Sequence, residues 1–302
     1  ASMSASLFHA CRDKGINFFD CADVYQAGRA EEILGGLIRE CRHEVVIASK
    51  AYFPTGKDVN ARGASRFHIQ NAVEASLRRL GTDRIDVYFV HRFDDHTPLE
   101  ETLGTLDDLV SQGKILYTGA SNFAAWQVAK ALGISDRKSW ARFACIQPMY
   151  NLVKRQAEVE ILPQARAEGL GVFPYSPLGG GLLTGKYGPQ DRPDSGRLVE
   201  NKMYMTRYAA DWMYVAAGRF TELAEREGVP PATLAVAWVA AHPAVTAPLI
   251  GARNLEQLRT CLAAEKFDLT PELYGEISSL TPEPPPATDR NEERSAHNYG
   301  TR

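Results

Sequence analysis

Close cysteine pairs, long apolar runs and basic tracts are all missing from this chain. Its five cysteines, Cys11, Cys21, Cys41, Cys145 and Cys261, are scattered, with no Cys-x-x-Cys and no close Cys/His pair. That excludes a disulfide framework and a zinc site, and no metal is expected. An odd, dispersed set of thiols fits a reducing compartment, so a cytoplasmic protein is expected. No apolar stretch approaches the roughly 20 residues that span a bilayer, and no apolar leader with basic flanks occurs, so a soluble chain without a membrane partner is expected. Lysine and arginine form no run interleaved with aromatics, and the net charge is −3. The electrostatic footprint of a nucleic-acid binder is therefore absent.

What is present is enough to bury a large core: 302 residues, 44% hydrophobic and 24% charged, suit two ordinary domains or one large α/β barrel. Apolar runs rich in β-branched and aromatic residues recur as INFFDCA, VVIASKA, VYFVHR, YTGASN, ACIQPMY, GVFPYS and APLIG. Such runs suit strands buried on both faces, seven in all. Between them lie helical spacings, at Ile33, Leu34, Leu37 and Ile38, at Ile69, Val73, Leu77 and Leu80, and at Leu99, Leu103, Leu106 and Val110. Pro98 stands at a helix's first turn, and Gly81 and Gly113 stand just past helix ends.

Strict alternation without a linker predicts one parallel α/β domain over residues 1–281, followed by a mobile proline-rich and charged tail over 282–302. The strand runs end on Asp20, Lys50, His91, Ser121 with Asn122, Gln147, Tyr175 with Ser176, and Gly251. Polar groups delivered by nearly every strand end favour a (β/α)8 TIM barrel over a doubly wound sheet, which gathers its ligand groups at one switch point. The chain opens inside a helix pattern, with Leu7, Phe8 and Cys11 on one face, so the barrel's first strand is expected upstream of residue 1 or lost by truncation. Residues 176–212, rich in glycine and charge, read as a binding loop.

Taken singly, the polar strand ends have plain structural readings: a lysine reaching water, a hydrogen-bonded histidine, an aspartate capping the next helix. Together they are harder to dismiss. Three successive strands deliver Asp20, Lys50 and His91 to one mouth, with Tyr25 on the first connecting loop. A tyrosine with an ordinary pKa near 10 needs a neighbouring cation to exchange its proton near neutrality, and Lys50 is expected to lower it. Asp20 would keep that lysine charged, and His91 would donate to an oxygen gaining negative charge. No serine or cysteine is paired with a base, so protonation of a carbonyl oxygen while hydride arrives from elsewhere fits best. Residues Gly180 to Lys186 match the G-x-x-x-x-G-K of a phosphate-binding loop, but Tyr187 stands where serine or threonine must bind magnesium, and no helix pattern follows at once.

DKGINFFDCADVY, EEILG, VVIASK, YFVHR, TPLEETLGTLDDLVSQGKILYTGASNF, IQPMYNL, FPYSPLGGGLLTGKY and PLIGARNLEQL together resemble the aldo-keto reductases and their relatives the potassium-channel β-subunits, from residue 7 to about 280. The resemblance implies that Asp20, Tyr25, Lys50 and His91 are a catalytic tetrad with Tyr25 the general acid. It implies a nicotinamide cofactor, with Ser121, Asn122 and Gln147 on the carboxamide and Tyr175 under the ring. Ser176, Pro177, Leu178 and the glycine-rich loop with Gly180 and Lys186 would lie on the pyrophosphate. Gly251, Arg253 and Gln257 would hold the adenosine phosphate, which favours NADPH over NADH, although Cys261 stands where a polar adenine contact is common. The activity implied is reduction of a small aldehyde or ketone. The alternatives are a cofactor-binding regulatory subunit and a truncated, inactive barrel.

Overall fold

The computed structural model describes residues 2–290, 292 and 295; most of the expected tail beyond 290 lies outside the described residues. The chain divides into two compact units, Ala1–Gln147 with Ala252–Leu255, and Pro148–Gly251 with Glu256–Arg302.

The first unit alternates helix and strand: α1 (Met3–Asp13), β1 (Phe18–Asp20), α2 (Arg29–Ile38), β2 (Val46–Ala51), α3 (Arg66–Leu80), β3 (Ile85–Val90), α4 (Leu99–Ser111), β4 (Ile115–Ser121), α5 (Ala125–Lys138) and β5 (Phe143–Gln147). The five strands lie side by side in chain order, and every pairing is parallel. This is the parallel α/β organisation that the alternating pattern predicts. Strand β3 is buried at all six positions, and Ile47, Phe89, Leu106, Ile69 and Leu80 are almost wholly inaccessible. Each such side chain contributes about 1.5–3 kcal/mol of burial. Local signals set the ends of α3: the Ser65 hydroxyl accepts from the His68 N–H at its start, and Gly81 closes it with φ 62°.

The second unit holds α6 (Ile161–Ala167), β6 (Gly171–Val172), α7 (Arg197–Glu200), α8 (Lys202–Arg207), α9 (Asp211–Arg226), α10 (Pro231–Ala240), all of α11 (Leu255–Leu262) but its first residue, and α12 (Pro271–Ser279). Its core centres on Trp238, whose ring stacks on Tyr274 at 5.6 Å and packs against Tyr150 at 5.2 Å. The long excursion 176–212 is partly helical, containing α7 and α8.

Six strands occur among the described residues, one fewer than expected. APLIG forms no strand, although the N–H groups of Thr246 and Ala247 donate to the Val172 carbonyl and that of Leu249 to the Pro174 carbonyl. Pro174 and Pro248 each lack an N–H, so this stretch and its partner hold isolated bonds instead of a regular ladder.

Helix α2 crosses α3 at a glycine. A Cβ built on Gly35 would lie 2.5 Å from the backbone oxygen of Leu80, whereas one on Gly36 would meet nothing within 4 Å. Gly35→Ala is therefore expected to destabilise the protein by about 1–3 kcal/mol by overpacking, while Gly36→Ala is neutral or stabilising by up to about 1 kcal/mol. Urea denaturation of the two variants checks this, and equal effects would contradict it.

Candidate active site

The strand register explains how the first unit gathers its polar groups. Asp20 pairs with Ala48, and Lys50 lies two residues further on the same face of β2. Lys50 pairs with Phe89, and His91 follows two residues later, its N–H donating to the Ala51 carbonyl. Ser121 pairs with Gln147 at the ends of β4 and β5.

Lys50 is completely buried, with Nζ 2.5 Å from Asp20 Oδ2 and donating to the Cys21 carbonyl at 2.7 Å. Its Nζ also stands 5.1 Å from the centre of the Tyr25 ring. Burial works against the lysine's charge, but Asp20 and then Tyr25 outweigh it and hold its pKa above the ordinary value. The second Asp20 oxygen accepts from Gln147 Nε2 at 2.9 Å. Ser121 Oγ donates to the Gln147 carbonyl, and Asn122 Nδ2 donates to the His91 carbonyl, both at 2.9 Å. Asp20, Lys50, Gln147, Ser121, Asn122 and His91 thus form one connected network.

Tyr25 sits edge-on to His91 with ring centres 6.0 Å apart, and Phe53 packs on the same histidine at 4.9 Å. Lys50 pulls the Tyr25 pKa down as expected, but the net shift is upward. Burial of the hydroxyl raises it and exceeds the opposing pull of Lys50, although the residue as a whole stays 40% exposed. The phenol therefore holds its proton at neutral pH. For His91, burial and then the Lys50 charge push the imidazole down to about 3, so it is neutral.

The backbone around these groups is strained. Gln26 and Ala27, directly after Tyr25, have φ 49° and 55°, and Asn122 has φ 56°. Non-glycine residues in this region are uncommon and are found where ligands or reacting groups must be held.

In the second unit, Tyr175 makes a parallel bridge with Met149, and its N–H donates to the Pro148 carbonyl at 2.9 Å. Ser176, Pro177 and Leu178 lead into a 3-10 turn over Gly179–Gly181, where Gly180 has φ 70°. Lys186 is exposed. Gly251, and Arg253 of the first unit, are exposed just before α11, with Gln257 in its first turn. Cys261 is buried, and burial raises its thiol pKa.

A buried polar cluster in the first unit escaped the sequence reading. Glu31 is fully buried, accepting from the Ser49 hydroxyl at 2.5 Å and from Arg79 Nε at 2.7 Å. Neither oxygen of buried Asp23, nor the Tyr88 hydroxyl, has a hydrogen-bond partner. The signal was an aspartate two residues before Tyr25, inside a run that otherwise reads as buried.

The family model for the aldo/keto reductase family matches residues 2–282. The chain is 36% identical over 286 residues to an uncharacterized oxidoreductase, YrpG, of Bacillus subtilis, covering 90% of this chain and 85% of that protein. It is 38% identical over 265 residues to a probable voltage-gated potassium channel subunit beta of Arabidopsis thaliana, covering 86% and 80%. It is 32% identical over 289 residues to the versiconal hemiacetal acetate reductase of Aspergillus parasiticus, covering 89% and 84%. The chain belongs to the aldo/keto reductase family and is an oxidoreductase by that kinship. No helix among the described residues is long and apolar enough to cross a membrane.

Asp23 yields a test. Burial, then the nearby Glu31 charge, pushes its pKa from 3.8 up to about 7; Arg79 and the Val24 N–H oppose this without meeting the carboxylate in hydrogen-bond geometry. A raised acid contributes stability that is complete below its unfolded pKa and is lost as pH rises through the folded one. Wild type should therefore lose stability relative to Asp23→Asn as pH rises from about 5 to about 8 in urea denaturation. A difference independent of pH would show that Asp23 is ionised throughout.

Proposed function

We propose that this protein reduces small aldehydes or ketones with NADPH, and that Tyr25 is the proton donor. The observation that carries this is the buried, charged Lys50, locked by Asp20 and facing a protonated Tyr25 beside a neutral His91.

The residues fit a bound nicotinamide dinucleotide. Asn122 and Ser176 hold positive φ angles that cost about 1–3 kcal/mol, as is usual of backbone shaped around a ligand. Gln147 Nε2 donates to Asp20, and the amide oxygen is the end suited to accept from a carboxamide. Gly180 makes a turn that no side chain could occupy, because a Cβ there would lie 2.7 Å from the Tyr204 ring. In this assignment Ser121, Asn122 and Gln147 orient the carboxamide, Tyr175 supports the ring, and residues 176–186 serve the pyrophosphate. Gly251, Arg253 and Gln257, around the start of α11, serve the adenosine phosphate. A guanidinium beside a helix N-terminus favours a 2′-phosphate, hence NADPH over NADH.

When bound there, the reduced nicotinamide supplies hydride to the carbonyl carbon. Tyr25 passes its Oη proton to the carbonyl oxygen. Lys50 stabilises the phenolate that this leaves, and Asp20 keeps the lysine charged and in place. His91, neutral and therefore carrying one N–H, donates it to the same oxygen.

The Arabidopsis relative, named as a channel subunit, favours a second reading: a cofactor-binding regulatory subunit with slow turnover. Steady-state oxidation of NADPH with benzaldehyde separates the two. Tyr25→Phe should lower kcat by about 10²- to 10⁴-fold with NADPH affinity unchanged in a fluorescence titration. Retention of more than about a tenth of wild-type kcat would remove Tyr25 from the role of acid.

A further inference from the structure

Three cations of the second unit gather on one aromatic pair. Helix α8 is fixed at its start by Asn201, whose side chain accepts from the N–H groups of Met203 and Tyr204. Tyr204 and Tyr208, one turn apart, stack with ring centres 6.5 Å apart and planes 19° from parallel. Three cations gather on this pair. Arg197 and Arg207 stand 5.6 and 5.2 Å from the Tyr204 ring, and Lys154 Nζ stands 5.7 Å from the Tyr208 ring. None of the three has a carboxylate partner among the described residues. Aromatic faces attract cations but leave their charge intact, so the patch stays electropositive. Burial, then the Arg207 charge, lowers the Lys154 pKa, as expected for like charges held together without an anion.

The patch is also tied to a backbone shaped for close approach. Asn151 Nδ2 donates to the Ser176 carbonyl at 2.9 Å and to the Tyr208 hydroxyl at 3.3 Å. The Tyr204 ring is pressed on Gly180, where no Cβ fits, and Ser176, Gly179, Gly180 and Gly181 all have positive φ.

We infer that Lys154, Arg197 and Arg207, gathered on the Tyr204–Tyr208 pair, form a binding site for a phosphate or carboxylate oxyanion. Two sources share that chemistry: the phosphates of the dinucleotide, and an anionic group on the carbonyl substrate. Both depend on the reductase reading, but the site itself can be tested without it.

Inorganic pyrophosphate is the probe, added to the full chain without cofactor or substrate. It should raise the Tm of wild type, and a double variant, Lys154→Gln with Arg207→Gln, should lose that rise and bind pyrophosphate at least tenfold more weakly by calorimetry. Both positions are half-buried at the surface, and relief of their repulsion should leave the urea midpoint unchanged or higher; Arg197→Gln, at an exposed residue, gives an independent variant should the pair fail to fold. A second arm separates the sources. Weakened NADPH binding with an unchanged ratio of kcat/KM for 4-carboxybenzaldehyde over benzaldehyde assigns the site to the dinucleotide. A lowered ratio with unchanged NADPH binding assigns it to the substrate. Pyrophosphate binding equal in wild type and all variants would overturn the proposal. Wild type that binds pyrophosphate through these residues but neither binds NADPH nor reduces aldehydes would overturn the reductase reading and leave the anion site standing.

Discussion

A lysine with no exposed surface can keep its charge only if a partner meets it inside the protein, and here that partner is Asp20 at 2.5 Å. An unpaired buried ammonium is strongly disfavoured, and removing one member of such a pair leaves the other without compensation. Much of the first unit is arranged around meeting this demand. β1 ends on the aspartate, the Cys21 carbonyl takes a second lysine proton, and Gln147 at the end of β5 takes the remaining Asp20 oxygen. The pair is weak evidence for stability in itself. Its consequence is electrostatic: a fixed positive charge beneath Tyr25 and beside His91.

That charge acts differently on its two neighbours. On His91 it adds to burial, and both keep the ring neutral. On Tyr25 it opposes burial and loses, so the phenol rests protonated. A protonated tyrosine over a cation is suited to giving up a proton as negative charge appears on a nearby oxygen, because the cation becomes most useful once the phenolate forms. The cations of the second unit differ in kind. Lys154 and Arg207 are half-buried, have no carboxylate partner among the described residues, and stand against the Tyr208 and Tyr204 rings.

Much of this organisation is legible in the residues. Strand runs ending on Asp20, Lys50, His91, Ser121 and Gln147 place those side chains at one end of a parallel sheet because period-two alternation and register leave little choice. The α3 boundaries follow from Ser65 and Gly81. APLIG misleads because its apolar character matches a strand, while prolines in it and in its partner stretch deny regular pairing. Asp23 and Glu31 pass unnoticed because an acid in a short loop or a first helical turn ordinarily faces water, and only packing reveals both as buried. The direction of the Tyr25 shift was equally out of reach: it is a balance between burial and one cation, and residue spacing reports the cation alone.

The central claim is that Lys50 acts through Tyr25. A double-mutant cycle on NADPH-dependent benzaldehyde reduction tests it most directly, with Tyr25→Phe, Lys50→Met and the double variant compared by kcat. Groups that act as one unit lose little more together than apart. The account predicts that Lys50→Met lowers kcat severely in the presence of Tyr25 and changes it by less than about threefold once Tyr25 is phenylalanine. Losses that multiply, with Lys50→Met as damaging in the Tyr25→Phe background as in wild type, would contradict it.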